Sequence, residues 1–164
     1  MARNEMGEEL VGAYLKFIEQ CDVVDYNVRP LGGGLNGLNE LDVIGYNFSK
    51  STNYLCEVTT HLKGLLYKNT SETINRISQK HLNQKAFVKA LGQNFDQVKY
   101  MFWSPYVPIG KITTGLNEMK ELTCIINGEY SLRMKELLKF AKENKQYTGN
   151  DAMRVLQIIE HIKS

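Results

Sequence analysis

The chain has 164 residues, of which 43% are hydrophobic and 23% charged, and its formal net charge is +2. This length suits one domain with a sizeable core, and the composition is typical of a folded protein rather than a disordered one. The small net charge neither requires nor excludes a nucleic-acid partner. We therefore expect one domain over residues 1–164.

Membrane and disulfide-based classes do not fit the sequence. No segment approaches 18 consecutive apolar residues, and no apolar stretch of a signal peptide follows the charged start of the chain. The three cysteines are odd in number and far apart, and Cys21 and Cys56 lie in apolar contexts. We expect no membrane partner, buried free thiols and a cytoplasmic, reducing location.

The first part of the chain predicts one helix followed by three strands. Residues 5–21 place apolar side chains at three- and four-residue spacing, namely Val11, Tyr14, Leu15, Ile18 and Cys21. β-rich segments follow at 23–28, 40–47 and 54–60, with a glycine-rich turn at 32–37. Because their connections are short, these strands are expected to form an antiparallel meander.

After residue 60 the hydrophobic period becomes helical. Residues 70–92 predict a long helix ended by Gly92, with an apolar side made of Ile74, Ile77, His81, Leu82, Ala86, Phe87 and Ala90. A strand at 98–103, a short helix at 112–120, a strand at 122–126 and helices at 129–143 and 150–162 complete the chain, the last capped by Asn150. The order αβββαβαβαα indicates an α/β (α+β) domain, a mixed sheet flanked by helices.

Three motif-like patterns fail the requirements of the sites they imitate. Gly32, Gly34 and Gly37 spell GxGxxG, but the loop leads into a strand rather than a helix N-terminus, so we predict a hairpin turn and no nucleotide cofactor. Gly110-Lys111 lacks the first glycine and the following Ser or Thr of a P-loop. The cysteines and histidines lack paired zinc-ligand spacing.

Acidic side chains alternate along two neighbouring predicted strands. Side chains repeat every two residues on a strand, so Glu40 shares a face with Asp42, and Glu57 shares a face with Thr59 and His61. If these faces coincide, Asp42 and Glu57 converge, and a bound cation relieves their repulsion. Mg²⁺ (or Mn²⁺) suits two carboxylates because it prefers hard oxygen ligands. A solvent-exposed polar strand face is the alternative interpretation.

Glu8 is a third candidate, because it falls on the apolar face of the first helix, where a glutamate needs a partner. With it, three segments form a pattern that resembles the PD-(D/E)xK nuclease superfamily, in particular its small restriction-endonuclease-like and Holliday-junction-resolvase-like members. These segments are Gly7-Glu8-Glu9-Leu10-Val11 in the helix, Glu40-Leu41-Asp42-Val43-Ile44 and Cys56-Glu57-Val58-Thr59. The resemblance covers about residues 5–105 and leaves the C-terminal helices, about 129–163, without a motif.

The resemblance implies a restriction-endonuclease-like fold and a metal-dependent endonuclease. Asp42 and Glu57 would hold Mg²⁺, Glu8 would support the metal site, and Thr59 stands where the family has a lysine. Losing one such preorganised group commonly costs on the order of 10²–10³ in rate. Lys63, shortly after the strand, or Lys80, on the next helix, could supply the missing charge. A solvated loop lysine and a phosphate contact or surface charge are the respective alternatives.

Basic residues are concentrated between residues 63 and 89. Six of them stand against one acid, Glu72, and they are Lys63, Lys68, Arg76, Lys80, Lys85 and Lys89. Such a helix can lie along a phosphate backbone, so DNA is the expected partner, while an ordinary solvated helix face is the alternative.

Two classes of function therefore remain, a DNA endonuclease and a nuclease-like module that binds nucleic acid or protein without catalysis. The last helix also has an apolar surface that suits either a homodimer or core packing, namely Val155, Leu156, Ile158, Ile159 and Ile162.

Overall fold

A computed structural model describes residues 4–29, 40–92 and 94–164. In these ranges five strands form one sheet: β1 (Val23–Val28), β2 (Leu41–Asn47), β3 (Thr52–Val58), β4 (Gln97–Ser104) and β5 (Leu122–Ile126). The helices of the same ranges are α1 (Met6–Phe17), α2 (Thr70–Leu91), α3 (Lys111–Asn117), α4 (Gly128–Glu143) and α5 (Asp151–Lys163). The predicted order of elements is confirmed; the predicted hairpin at 32–37 lies outside the described residues.

The strands lie in the sheet in the order in which they occur along the chain. β1, β2 and β3 form the expected antiparallel meander, and β3, β4 and β5 run parallel. Parallel neighbours need a crossover, which α2 and α3 provide. As a result, β3 and β4 end at the same edge of the sheet, and the loops that follow them leave side by side.

The two faces of the sheet are covered by different helices. On one face α1, α4 and α5 pack apolar side chains against the strands, with Leu15, Trp103 and Leu137 fully buried. On the other face α2 and α3 cover Leu55 and Phe102. The chain is thus a three-layered arrangement of helices, mixed sheet and helices.

The apolar side predicted for the helix at 70–92 is partly wrong. Leu82 is 54% exposed, and Ala86 and Ala90 are exposed as well, whereas His81 and Gln84 are buried. The inward side chains follow the spacing Thr73, Ile77, Gln84, Phe87, so the helix is rotated from the orientation that its apolar residues alone suggest. Hydrogen bonds from the Gln84 amide to the sheet compensate for its burial.

Several element ends have clear local causes. The side chains of Asn69 and Asn150 accept hydrogen bonds from the first turns of α2 and α5, so the predicted cap at Asn150 is confirmed. Gly92 adopts a φ of 61° after the last turn of α2, a conformation that glycine tolerates best. β3 ends at Val58 rather than residue 60 because the chain turns away after the Thr59 amide donates to the Trp103 carbonyl.

A close approach fixes the start of α1 against the end of β3. A Cβ atom added at Gly7 would lie 2.1 Å from Cγ2 of Thr60, so a larger residue would force the two segments apart. This contact holds the first turn of α1, which contains Glu8, near the edge of the sheet where β3 ends.

Two further expectations concern membranes and cysteines. Within the described ranges, no helix is both long and apolar enough to cross a membrane. Cys21 and Cys56 are buried free thiols, as predicted, and burial raises the pKa of Cys21 to about 12. A thiol held in that protonated form is a poor nucleophile.

Candidate metal centre

The register of the sheet brings the two predicted metal ligands together. Val43 of β2 pairs with Cys56 of β3, so Asp42 and Glu57 are neighbours across the two strands. Both side chains point toward α2, where Lys80 lies near both carboxyl groups. The predicted convergence of Asp42 with Glu57 is therefore present. Glu57 is buried and Asp42 is half-buried, with side chains 4% and 16% exposed, so the pair does not lie on a solvent-exposed strand face.

Asp42 is held in place by the backbone of the adjacent strand. Its Oδ2 atom accepts a hydrogen bond of 2.7 Å from the Val58 amide. That amide is the last one of β3, where the ladder with β2 ends. A carboxylate fixed by a backbone amide is oriented without depending on a flexible partner.

Glu57 is the more deeply buried acid and has the more perturbed ionisation. Burial raises the pKa of Glu57 to about 8, and the neighbouring Asp42 carboxylate adds to the rise, while Lys80 opposes it. Two carboxylates this close cannot both ionise cheaply in a low-dielectric site. The pair therefore favours any cation that reaches it.

Lys80 reaches this pair from the middle of α2. Its Nζ atom lies 2.5 Å from Oε2 of Glu57 and 3.7 Å from Oδ2 of Asp42. Burial acts to lower the pKa of Lys80, but the two carboxylates outweigh it and the pKa lies above its ordinary value. Of the two lysines considered as replacements for position 59, Lys80 is the one at the acids, whereas Lys63 is exposed in the loop after β3.

Glu8 lies near the pair without joining it. Its side chain is buried, and burial raises its pKa, against a lowering by the hydrogen bond from the Glu5 amide, with a further rise caused by Asp42. The prediction that Glu8 faces inward is confirmed. Its firmest contact is the 3.1 Å hydrogen bond that it accepts from the Glu5 amide at the start of α1. Glu8 therefore caps the N-terminal end of this helix and also adds negative charge beside Asp42.

Thr59 continues the face of Glu57 but makes no side-chain hydrogen bond. Its Oγ1 atom is buried and has no partner among the described residues. His61 does not stay on this face. It is exposed and packs edge-on against Tyr67, with ring centroids 5.5 Å apart.

The donor set is compatible with a hard divalent cation. In residues 4–29, 40–92 and 94–164, no three His, Cys, Asp or Glu side chains lie close enough together to hold a metal. Mg²⁺ does not need three, because it commonly takes one or two carboxylates and keeps several waters. Asp42 and Glu57 fit that pattern, since each carboxylate has one oxygen besides those bonded to the Val58 amide and to Lys80.

The other predicted nucleic-acid contacts are distributed unevenly around α2. Arg76 is exposed and stacks over the Tyr67 ring at 4.2 Å, close to the loop after β3. Lys85 forms an ion pair with Glu121 instead. Lys89 is exposed in the last turn of the helix. The structure thus brings Lys80 to the acidic pair, places Arg76 against Tyr67, and leaves Lys85 and Lys89 further along the helix.

A polar network fixes the helix that carries Lys80. The Gln84 amide nitrogen donates to the backbone carbonyls of Leu55 and Met101, which belong to β3 and β4. His81 places one ring nitrogen 3.1 Å from Oε1 of Gln84 and the other 3.0 Å from the Lys120 carbonyl. These contacts hold the His81 ring between α2 and the segment that precedes β5.

This network was missed by reasoning from hydrophobic period. The available signal was the spacing of Thr73, Ile77, Lys80, Gln84 and Phe87, alternately four and three residues apart, which places Lys80 on the inward seam of the helix.

A cavity in the described part of the chain lies away from the acidic pair. It measures about 380 Å³ between α4 and α5, and it is lined by side chains such as Lys142, Arg154 and Ile158. These helices cover the face of the sheet opposite to α2, so the cavity is separate from the acidic pair.

Comparison of the chain with protein-family models, with curated proteins and with solved structures finds no match.

Proposed function

We propose that the chain is a metal-dependent endonuclease of the PD-(D/E)xK type, with a restriction-endonuclease-like fold, that hydrolyses phosphodiester bonds in DNA. The observation that supports it best is the contact of Lys80 with Asp42 and Glu57. Two paired acids with a lysine beside them are the groups that the resemblance to this nuclease family implies. The lysine is missing from its usual position on the strand, because residue 59 is threonine. Here the lysine comes from a helix instead of from the strand.

Asp42 and Glu57 are the residues that would hold Mg²⁺ or Mn²⁺. When bound, such an ion acts as a Lewis acid and lowers the pKa of its water. Asp42 is ready for this role because the Val58 amide orients it. Glu57 has to give up any proton it holds, since its pKa is raised by burial and by Asp42.

Lys80 supplies the fixed positive charge at the site. An ammonium group that already lies among acids can neutralise charge that builds on a scissile phosphate. Its position is preorganised, because Gln84, one turn later on α2, ties the helix to two strands. Glu8 adds negative charge beside Asp42 and strengthens the attraction for a cation.

Exposed cations in the loop after β3 and in the first half of α2 give DNA a place to bind. Lys63 and Arg76 are exposed, and no Asp or Glu occurs between residues 58 and 71. Phosphates are attracted to such a surface in a salt-dependent way.

The test compares two site variants with one surface control. We expect Asp42→Asn to abolish Mg²⁺-dependent DNA cleavage and Lys80→Met to slow it by about 10²–10³. Lys139→Met is the control, because that lysine is 76% exposed on α4, on the opposite face of the sheet. Cleavage of labelled single-stranded, duplex and branched DNA is measured in Mg²⁺ and in Mn²⁺. Equal cleavage by the wild type and Asp42→Asn would reject the proposal.

A second candidate is a DNA-binding module without catalysis. The buried, unpartnered hydroxyl of Thr59 favours it, because a group with no exposed surface is poorly placed to contact an attacking water. This alternative predicts salt-sensitive DNA binding that weakens when Arg76 and Lys89 are neutralised, with no cleavage at any metal concentration.

A further inference from the structure

Two loops leave the sheet at the edge where the acidic pair lies, and they expose large apolar side chains. The loop after β3 contains Leu62 and Leu66, which are 78% and 54% exposed. The loop after β4 contains Tyr106 and Ile109, which are 47% and 90% exposed. We call these four residues the apolar platform.

The two loops form one unit. The Leu65 amide donates to the Tyr106 carbonyl at 3.0 Å, and a Cβ atom added at Gly64 would meet the Tyr106 ring at 3.3 Å. Leu65 and Val107 are fully buried beneath the exposed residues. The two loops that carry the platform residues are therefore joined and share a buried apolar anchor.

The platform is also fixed in place. The Asn127 side chain bonds both backbone groups of Val107, accepting from its amide at 2.7 Å and donating to its carbonyl at 3.0 Å. Exposed Ile109 thus lies two residues from an anchored backbone position, and Leu62 lies three residues before Leu65, whose amide is bonded to the second loop. Apolar side chains held in water by a fixed backbone indicate a binding surface.

The platform adjoins the acids through one aromatic residue. Tyr67, at the end of the first loop, contacts His61 and Arg76 and contributes to the electrostatic environment of Lys80. The first loop begins two residues after Glu57. The acids and the two loops therefore lie at the same edge of the sheet.

The charge around the apolar platform indicates which class of ligand binds there. No Asp or Glu occurs in residues 58–71 or 97–117, while Lys63, Lys68 and Lys111 do. A surface with cations around apolar side chains suits a nucleic acid whose bases are exposed, because phosphates meet the lysines and base faces meet the apolar groups. In an intact duplex the base faces are stacked and cannot reach such a surface.

We infer that the apolar platform receives unpaired bases next to the scissile phosphate, so that the substrate is DNA with a single-stranded segment joined to a duplex. This inference rests on the proposed function, since it uses the same acids. It specifies the substrate class that the acidic pair alone leaves open.

The experiment measures binding and cleavage on two matched DNAs. One is a duplex, and the other is the same duplex with a single-stranded extension that carries 2-aminopurine at its first unpaired position. Binding is measured with the full-length Asp42→Asn chain by 2-aminopurine fluorescence and by anisotropy. We expect the extended DNA to bind and to be cleaved by the wild type about tenfold better than the duplex, a difference of about 1.4 kcal/mol.

Substitutions in the apolar platform test whether its effect is specific to these residues or follows from changing any exposed apolar side chain. Leu62→Ser and Ile109→Ser should each remove most of the preference and of the fluorescence change, while binding of the duplex stays within about twofold. Ile162→Ser is the matched control, because Ile162 is 76% exposed on α5 and lies on the opposite face of the sheet. Circular dichroism verifies that each variant is folded.

The possible outcomes distinguish the two proposals. If cleavage depends on Asp42 but has equal rates on both DNAs, the platform is overturned and the nuclease proposal stands. The same conclusion follows if Ile162→Ser loses the preference for the extended DNA as much as the platform variants do. A fluorescence change that depends on Leu62 and Ile109 without any cleavage supports the platform and overturns the nuclease. If neither DNA binds at low salt, both proposals are overturned.

Discussion

On the α1 side of the sheet, Leu15, Trp103 and Leu137 fill the layer with apolar contacts. On the α2 side, Lys80 and Gln84 turn polar groups toward the strands. Burying polar groups costs free energy unless every one finds a partner, and here the partners are two carboxylates and two backbone carbonyls. Both sides bury apolar side chains, but the α2 side also holds polar groups in fixed positions, so part of its burial orients groups rather than stabilising the fold.

The strongest test of this difference compares one substitution on each side. Leu15→Ala should lower the free energy of unfolding by about 2–5 kcal/mol, because it opens a cavity in the apolar layer. Lys80→Met should lower it by less than half as much at pH 6. Without the lysine, Glu57 keeps a proton and hydrogen bonds to Asp42, as its raised pKa allows. Urea denaturation measures both. An equal loss in the two variants would mean that Lys80 is chiefly a structural residue.

An intermediate effect is expected for the amide that joins α2 to the sheet. Gln84→Ala should lower the free energy of unfolding by about 1–3 kcal/mol, because it leaves the Leu55 and Met101 carbonyls without this donor. Asn75→Ala is the control, since Asn75 is exposed on the same helix. The measurement is again urea denaturation. If Gln84→Ala behaves like the control, the α2 side does not depend on its polar network.

The smallest expected effect concerns pH and applies only to the α2 side. Glu57 has a pKa raised to about 8, so below that pH a metal ion has to displace a proton from it. The affinity for Mn²⁺ should therefore rise between pH 6 and pH 8, by at most about tenfold per pH unit, and level off above. Calorimetric titration measures the affinity and the proton released. Glu57→Gln should bind weakly and show no such slope; a flat profile in the wild type would contradict the assignment.

Sequence reasoning performed best where a residue type has one structural meaning. Asn150 and Gly92 marked helix ends, and the two-residue alternation around Asp42 and Glu57 placed both acids on one face. These features depend on local geometry, which a single chain segment already determines.

It performed worst where burial is decided by a distant partner. Gln84 is buried because carbonyls of two strands accept its protons, and Leu82 is exposed although it is apolar. Lys80 was one of two possible lysines until the rotation of α2 placed its ammonium group at the acids. The rotation of a helix about its own axis depends on how the whole helical layer packs on the sheet. The number of apolar residues on each side of the helix does not determine it.

Because Lys80 belongs to a helix and the two acids belong to strands, assembly of the site depends on how that helix packs on the sheet. The two acids belong to a hairpin-like pair of strands that are close in the chain, whereas their cation comes from the crossover that precedes β4. The compensating charge at the acids therefore depends on the packing of α2 against the sheet. A change that displaces this helix would leave two facing carboxylates without their cation, even if the strands kept their pairing.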